Sequence, residues 1–172
     1  MSRTLRALSV ALCLLVAAFA ALAQEGERIL EYVIEVNVNT DGALDVAEQI
    51  TVRAEGNQIR RGIFRDFPTR YRDRYGNNVV VALEVQGVER DGVAEPWFTE
   101  GRPNGVRINT GTDDFLPGLP AEYRYTLRYR TTRQLGFFAD HDELYWNAIG
   151  TGWNFAIERA NVEVRLPPPV PV

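Results

Sequence analysis

Apolar and polar residues alternate along most of the chain after its first 23 residues. Successive side chains of a β-strand point to opposite faces, so a period of two predicts a strand with one buried face. The first such run has its apolar side chains at Leu30, Tyr32, Ile34, Val36 and Val38, and a second has them at Leu44, Val46, Ile50 and Val52. Thr40-Asp41-Gly42 separates the two runs, and Asp-Gly tolerates the positive φ of a tight turn. We therefore predict a β-hairpin.

Further short strands follow the hairpin. They are predicted at Asn78–Glu89, Val93–Glu100, Val106–Asn109, Tyr123–Thr131, Trp153–Ile157 and Val162–Leu166. Gly87 predicts a bulge, Arg90-Asp91-Gly92 a second tight turn, and residues 110–120 a loop. Short strands with turn signals about every 8–12 residues are typical of an all-β antiparallel β-sandwich, immunoglobulin-like or similar. An open β-barrel is the alternative.

Residues 1–23 have the pattern of a secretory signal peptide. Arg3 and Arg6 precede an apolar run that ends in Ala21-Leu22-Ala23, the small-x-small pattern of a cleavage site. We predict a signal-peptide helix cleaved before Gln24, and an exported, extracytoplasmic domain over residues 24–172. An uncleaved membrane anchor is the alternative.

Composition excludes several classes of function for the predicted mature domain. Cys13 is the only cysteine, so residues 24–172 hold no disulfide, zinc-thiolate site or thiol nucleophile. Serine is absent after Ser9, which excludes serine hydrolase chemistry. Without Arg3 and Arg6, the 19 basic residues fall to 17 against 23 acidic ones, a net charge of −6. This balance argues against nucleic-acid partners. No glycine-rich phosphate loop precedes a helix, and we expect no cofactor.

An acidic residue, Glu48, takes an apolar position of the second strand. An unpaired buried carboxylate is costly, so Glu48 either lies at the rim of the sheet or pairs with an arginine. Arg61 and Arg65 of the segment 60–68 are the nearest candidates, followed there by Asp66. The arginine-rich segment has two interpretations: a structural network around Glu48, or an anion-binding patch for lipid headgroups, phosphate or acidic glycan.

A second segment, residues 140–153, also combines charged and aromatic side chains. Asp140, Asp142 and Glu143 are weak candidates for calcium ligands, and the only histidine, His141, lies among them. An acidic loop at the end of a strand is the alternative. Trp146 and Trp153 suggest either a carbohydrate platform or core residues whose indole N–H groups bond to the backbone.

These segments carry a family resemblance. The ordered motifs are Val46-x-Glu48-x-Ile50-Thr51, Gly62-Ile63-Phe64-Arg65-Asp66-Phe67-Pro68, Glu143-Leu144-Tyr145-Trp146-Asn147-x-x-Gly150-x-x-Trp153 and Val162-x-Val164-x-Leu166-Pro167. Together they resemble the N-terminal extracytoplasmic region of bacterial predicted membrane proteins with domain of unknown function 2207. The resemblance implies an exported β-rich domain whose parent continues into transmembrane helices. It brings no catalytic residues, but it marks Arg65, Asp66 and Trp146 as signature positions.

The resulting expectation is a non-enzymatic binding or interaction domain at the cell envelope. Its contact surface is predicted at the loops 56–77 and 135–152, on a rigid scaffold. The candidate residues for either a structural network or a ligand-binding surface are Glu48, Arg61, Arg65, Asp66, Trp146, Asn147 and Trp153. Other envelope proteins, anionic lipid headgroups or glycan are the expected partners. One alternative is a structural domain that docks on its own membrane part or on neighbouring subunits; another is an enzyme that acts on envelope glycan. The proline-rich residues 166–172 predict an extended exit and a domain truncated on that side.

Overall fold

The computed structural model describes residues 26–72, 76–150 and 152–168, which form β-strands and connections without a helix. The predicted signal peptide lies outside these residues. Within them, no helix is long and apolar enough to cross a membrane. The strands in the described residues are β1 (Arg28–Val38), β2 (Leu44–Ala54), β3 (Phe64–Pro68), β4 (Arg70–Arg72), β5 (Asn78–Val80), β6 (Leu83–Arg90), β7 (Val93–Ala94), β8 (Trp97–Arg102), β9 (Gly105–Thr110), β10 (Ala121–Thr131), β11 (Leu135–Phe137), β12 (Asp142–Leu144) and β13 (Ala160–Arg165). The all-β prediction is confirmed.

The main sheet has the strand order β13-β1-β2-β10-β6-β7. Its first hairpin joins β1 to β2 as predicted, with Gly42 at a φ of 78°. The Asp41 carboxylate accepts a hydrogen bond from the Ala43 amide at 3.0 Å, which closes the turn. The predicted turn at Asp91 and Gly92 joins β6 to β7, and both residues have positive φ.

The period-two pattern gives the main sheet one buried face. The core side chains of β1, β2 and β10 are Ile29, Tyr32, Ile34, Val36, Val38, Leu44, Val46, Ile50, Val52, Ala54, Tyr123, Tyr125, Leu127 and Tyr129. A register shift between Ile29 and Glu31 turns Ile29 into the core and leaves Leu30 only half-buried, so the predicted face of Leu30 is wrong. The bulge predicted at Gly87 is present, since the pairing of β6 with β10 shifts between Val85 and Gly87.

A second sheet, in the order β3-β9-β8, packs on the buried face of the main sheet. Phe67 of β3 meets Tyr129 of β10 edge to face, with ring centroids 5.3 Å apart. Ile108 of β9 is fully buried in the same core. Two small hairpins, β4–β5 and β11–β12, complete the described strands.

The last strand departs from antiparallel pairing, because β13 runs parallel to β1. Val162 pairs with Ile34 and Val164 with Val36, which places the two valines in the core register. They nevertheless remain 44% and 43% exposed. The residues that bury the core face of β1 therefore leave the same face of β13, at the edge of the main sheet, partly exposed to solvent.

Several predicted strands have different limits in the structure. The strand predicted at Asn78–Glu89 is interrupted at residues 81–82, and the one predicted at Val93–Glu100 is interrupted at residues 95–96. The strand predicted at Trp153–Ile157 is wrong: only Ile157 forms an isolated bridge, to Ile29. The large side chains of that segment pack individually on the core, and the segment forms no ladder. The predicted contact loops contain β3, β4, β11 and β12, which sequence periodicity missed.

Candidate functional site

A buried ion pair joins the two packed sheets. Glu48 of β2 and Arg65 of β3 are 0% and 1% exposed. Arg65 Nε lies 2.9 Å from Glu48 Oε2, and Arg65 Nη2 lies 3.0 Å from Glu48 Oε1. This two-point geometry is the strong form of an arginine–carboxylate pair. Of the alternatives that the sequence leaves open for Glu48, the structure has the arginine pair, and the partner is Arg65.

Two tyrosine hydroxyls complete the environment of Glu48. Tyr32 Oη donates to Oε2 at 2.5 Å, and Tyr129 Oη donates to Oε1 at 2.6 Å. Burial, together with the Glu48 carboxylate, raises the pKa of Tyr32 and of Tyr129 well above the usual value of 10. Both hydroxyls therefore stay protonated as donors, and each carboxylate oxygen receives a hydrogen bond from Arg65 and from one tyrosine.

Arg65 remains charged in spite of its burial. Desolvation alone would lower its pKa, but the Glu48 carboxylate outweighs that effect and the net shift is upward. Arg65 Nη1 also donates to the Asp66 carbonyl oxygen, and Nη2 lies 3.5 Å from the Asn147 carbonyl oxygen. We call Glu48, Arg65, Tyr32 and Tyr129 the latch. The charged and hydroxyl groups of the latch bind one another inside the protein, so they are not available to hydrogen-bond a ligand.

Asp66 forms a separate pair on the other face of β3. Its carboxylate accepts hydrogen bonds from Arg107 of β9 at 2.6 and 2.7 Å. These bonds hold the pKa of Asp66 below its usual value of 3.8. The guanidinium of Arg107 also lies over the Phe64 ring, 3.7 Å from the ring centroid. This pair ties β3 to β9 next to the latch, whose Arg65 also contributes to lowering the pKa of Asp66.

The two tryptophans of the second segment pack against the core and are partly buried. Trp153 meets Tyr32 edge to face at 6.1 Å and stacks on Phe64 at 6.3 Å. The Nε1 atoms of Trp146 and Trp153 are buried and make no hydrogen bond to a described residue. The expected indole-to-backbone bonds are therefore absent there. The two rings do not form an exposed platform.

Arg61 lies apart from the latch. Its side chain is exposed, and its guanidinium carbon lies 5.1 Å from the centroid of the Phe115 ring. The arginine-rich segment thus contributes one latch residue and several surface cations. Arg65 alone among its described arginines is buried.

The acidic candidates are all exposed, and they do not converge. Asp140 bonds to its neighbour, with the Oδ1 atom 2.9 Å from His141 Nδ1. Asp142 and Glu143 are consecutive residues of β12, so their side chains point to opposite faces. Among the described residues, no group of three histidine, cysteine or acidic side chains could hold a metal ion.

An open groove of about 600 Å³ lies between the hairpins β4–β5 and β11–β12. Its lining residues are Tyr71, Arg72, Val79, Arg133, Gln134, Leu135, Gly136, Phe137, Phe138, Glu143 and Tyr145. A smaller cavity of about 180 Å³ shares Tyr71, Arg72, Gln134 and Tyr145, and extends to Trp146 and Asn147. We call the larger cavity the aromatic groove. It unites the two predicted contact segments, although sequence periodicity gave no sign that they meet.

The aromatic groove presents exposed rings and two arginines, of which Arg133 has a backbone acceptor, with Nη1 3.5 Å from the Val80 carbonyl oxygen. Phe137 and Tyr145 are each 72% exposed. Neither Arg72 nor Arg133 has a carboxylate partner among the described residues, whereas many surface arginines elsewhere in the fold do. Arg133 also holds a φ of 60°, unusual for a residue with a side chain. Aromatic surface and arginines without a carboxylate partner among the described residues are together typical of a contact site.

Comparison with known proteins identifies relatives without a known activity. The model of the family described as "Predicted membrane protein (DUF2207) N-terminal domain" matches residues 28–170. The uncharacterized protein YciQ of Escherichia coli (strain K12) is 30% identical over 141 residues, which cover 81% of this chain and 22% of YciQ. The chain thus spans less than a quarter of the length of that relative.

Among solved structures, the chain shows partial likeness to two enzymes. Yeast LTA4 hydrolase is 16% identical, with a TM-score of 0.45 over 63% of this chain and 15% of the enzyme. The M1 zinc metallopeptidase from Deinococcus radiodurans is 18% identical, with a TM-score of 0.42 over 65% of this chain and 22% of the enzyme. Scores this low carry no argument about fold or activity.

Proposed function

The chain belongs to the family of predicted membrane proteins that share the DUF2207 N-terminal domain, and we propose that it is a non-enzymatic binding module of such a protein. In this proposal the module lies on the extracytoplasmic side, exported by its leader. The packed sheets form an immunoglobulin-like β-sandwich that serves as a rigid scaffold. The aromatic groove takes an extended segment of another envelope protein.

One observation carries the proposal: the conspicuous charged residues of the sequence pair with one another inside the fold, whereas the groove's two arginines have no carboxylate partner among the described residues. Glu48 and Arg65 bind each other, and Asp66 binds Arg107. The groove combines exposed rings with arginines that have no acidic partner among the described residues. Binding surfaces are enriched in aromatic residues and arginine, so the groove is the favoured contact site.

A peptide segment suits the groove better than a lipid headgroup or a free phosphate. Most of its lining is aromatic or aliphatic, and an apolar groove buries side chains of an extended chain effectively. Its two arginines are accompanied by the acidic Glu143, so the site is not purely cationic. A headgroup site would call for a denser cluster of positive charges.

Site-specific photo-crosslinking in the intact parent protein tests this function. A photoreactive phenylalanine analogue at Phe137 should form an adduct with another envelope protein in intact cells. The same analogue at Phe98 is the matched control, because Phe98 is also exposed, at 59%, but lies on β8 away from the groove. Equal adducts from both positions, or none from Phe137, would contradict the proposal.

A docking role on the parent's own membrane part is the second candidate, and β13 favours it. Val162 and Val164 lie in the core register but remain partly exposed, and Leu166 is 76% exposed. A partner of apolar character would cover this edge of the main sheet. A photoreactive residue at Val164 should then produce an intramolecular crosslink in the parent protein. Adducts only with other chains would count against docking on the parent.

A further inference from the structure

The smaller cavity beside the aromatic groove has a hydrogen-bond donor without an acceptor in its wall. Trp146 lines this cavity, and its Nε1 atom is buried and bonds to no described residue. Leaving a buried N–H without an acceptor is costly, and a ligand that supplies the acceptor removes that cost. The cavity therefore favours a ligand group that accepts a hydrogen bond.

Arg72 gives the same cavity a positive charge. Its guanidinium has no carboxylate partner among the described residues, and none of the described residues that line the smaller cavity is acidic. Glu143 lines the aromatic groove but not this cavity. A guanidinium and an indole N–H are donors only, so together they select an acceptor with a negative charge.

The size and walls of the cavity suit a carboxylate side chain. Its volume is about 180 Å³. A water molecule occupies roughly 30 Å³ in the liquid, so the cavity has room for about five or six non-hydrogen atoms, the size of a glutamate side chain. Phe67 and Pro68 also line the cavity and offer apolar contact to the methylene groups of such a side chain. A phosphate group carries roughly two negative charges, which a single arginine matches less well than the one charge of a carboxylate.

We propose that the smaller cavity binds an acidic side chain, glutamate or aspartate, of the peptide segment that lies in the aromatic groove. The carboxylate pairs with Arg72 and accepts a hydrogen bond from Trp146 Nε1. The inference rests on the groove being a peptide-binding site, as proposed above. Because alternate side chains of an extended segment point the same way, one anchored residue fixes the register of the whole segment. The partner is therefore a segment in which a single acidic residue stands among apolar ones.

Peptide selection on the full chain tests this assignment. The probe is a library of random seven-residue peptides displayed on phage. We expect the selected sequences to share one aspartate or glutamate at a fixed position among apolar residues. Selection on Arg72→Gln should lose that preference. Selection on Arg70→Gln is the matched control and should keep it, because Arg70 lies on the same strand but lines neither cavity.

A titration then places the carboxylate beside Trp146. The selected peptide, and a copy with the amide in place of its acidic residue, are added to the full chain while NMR follows the indole N–H resonance of Trp146. The acidic peptide should shift this resonance downfield, and the amide copy should bind at least about tenfold more weakly, because a charge-assisted hydrogen bond is lost. Trp146→Phe should reduce that difference, and a melting curve verifies that the variant is folded. An excess of inorganic phosphate should leave the peptide bound.

Each failure has its own meaning. Selected peptides without a common acidic residue, equal affinity for the acidic peptide and its amide copy, or displacement by phosphate would overturn the acidic anchor. If a photoreactive residue at Phe137 still crosslinks an envelope protein in that event, the groove's function stands. No enrichment of peptides over a variant with both Phe137→Ala and Tyr145→Ala, together with no crosslink from Phe137, would contradict the groove as well as the anchor.

Discussion

Gly150 lies against the guanidinium group of Arg65, so that a Cβ atom at position 150 would stand 2.7 Å from Arg65 Cζ. The segment after β12 therefore passes directly over the latch and seals it from solvent. This contact gives a physical reason for glycine at position 150, because any side chain there would overlap the guanidinium of Arg65. It links the two family motifs, which are far apart in sequence, through one side chain.

Replacing Gly150 with alanine should destabilise the fold. The added methyl group would overlap the buried guanidinium, and overpacking of this kind costs about 1–3 kcal/mol. Gly87→Ala is the matched control, because a Cβ atom there meets nothing within 4 Å. Urea unfolding monitored by tryptophan fluorescence measures both. Equal stability of the two variants would show that Arg65 can move aside.

Arg65→Met should lower the free energy of unfolding by about 3–5 kcal/mol, since it leaves the Glu48 carboxylate buried without its cation. Adding Glu48→Gln should recover part of the loss, because it removes the buried charge, and the amide oxygen can accept from one tyrosine hydroxyl while the amide nitrogen donates to the other. Arg107→Met is the control: its pair with Asp66 is partly exposed, and such pairs contribute about 1 kcal/mol or less. Additive losses in the double variant would contradict this account of the latch.

The loop 55–59 should loosen in acid. The Glu27 carboxylate accepts hydrogen bonds from the amides of Glu55, Asn57, Gln58 and Ile59. Desolvation by burial raises the pKa of Glu27, but the four hydrogen bonds lower it by more, so that the pKa lies below its usual value of 4.5. A lowered pKa in the folded state means that the stabilisation is present above about pH 4.5 and is lost as the pH falls through the folded value. The protection of these amides against hydrogen exchange, relative to the intrinsic rate at each pH, should therefore fall in acid, and Glu27→Gln should remove that pH dependence of the protection.

Glycine and alanine at position 133 should differ in their effect on stability but not in their effect on binding. The φ of 60° at Arg133 is costly for a residue with a Cβ, by about 1 kcal/mol, and free for glycine. Arg133→Gly should therefore be more stable than Arg133→Ala in thermal unfolding. Both variants should lose binding at the groove equally, because both lack the guanidinium. A glycine variant no more stable than the alanine variant would contradict strain at this position.

The predicted cleavage of the leader can be checked on the exported protein. Export in a bacterial host should yield a protein that begins at Gln24, because cleavage follows Ala21-Leu22-Ala23. Intact-mass spectrometry and N-terminal sequencing measure this directly. Retention of Met1 in membrane-bound material would favour the uncleaved anchor.

The sequence allowed the prediction of features with a local cause. β1, β2 and β10 follow from a strict period of two, and both tight turns follow from Asp-Gly. Glu48 was identified as needing a partner because it interrupts that period. β3 was missed because Arg65 occupies one of its two core positions, beside Phe67, so the strand carries charge on both faces.

The remaining features arise from long-range packing. Nothing in residues 160–165 distinguishes parallel from antiparallel pairing, since both give the same alternation. The aromatic groove is likewise formed by Tyr71 and Tyr145 from separate hairpins that meet only in the folded chain. Neither the pairing direction nor the groove has a local signal in the sequence.

The parallel pairing of β1 with β13 also has a mechanical consequence. The chain enters the fold at the start of β1 and leaves it at the opposite end, after β13. A pulling force between these two points would act along the paired strands and load their hydrogen bonds together, in shear. The pairs from Tyr32–Ala160 to Asn37–Arg165 would have to give way at once rather than one after another. A domain connected in this way can bear tension between whatever holds its two ends.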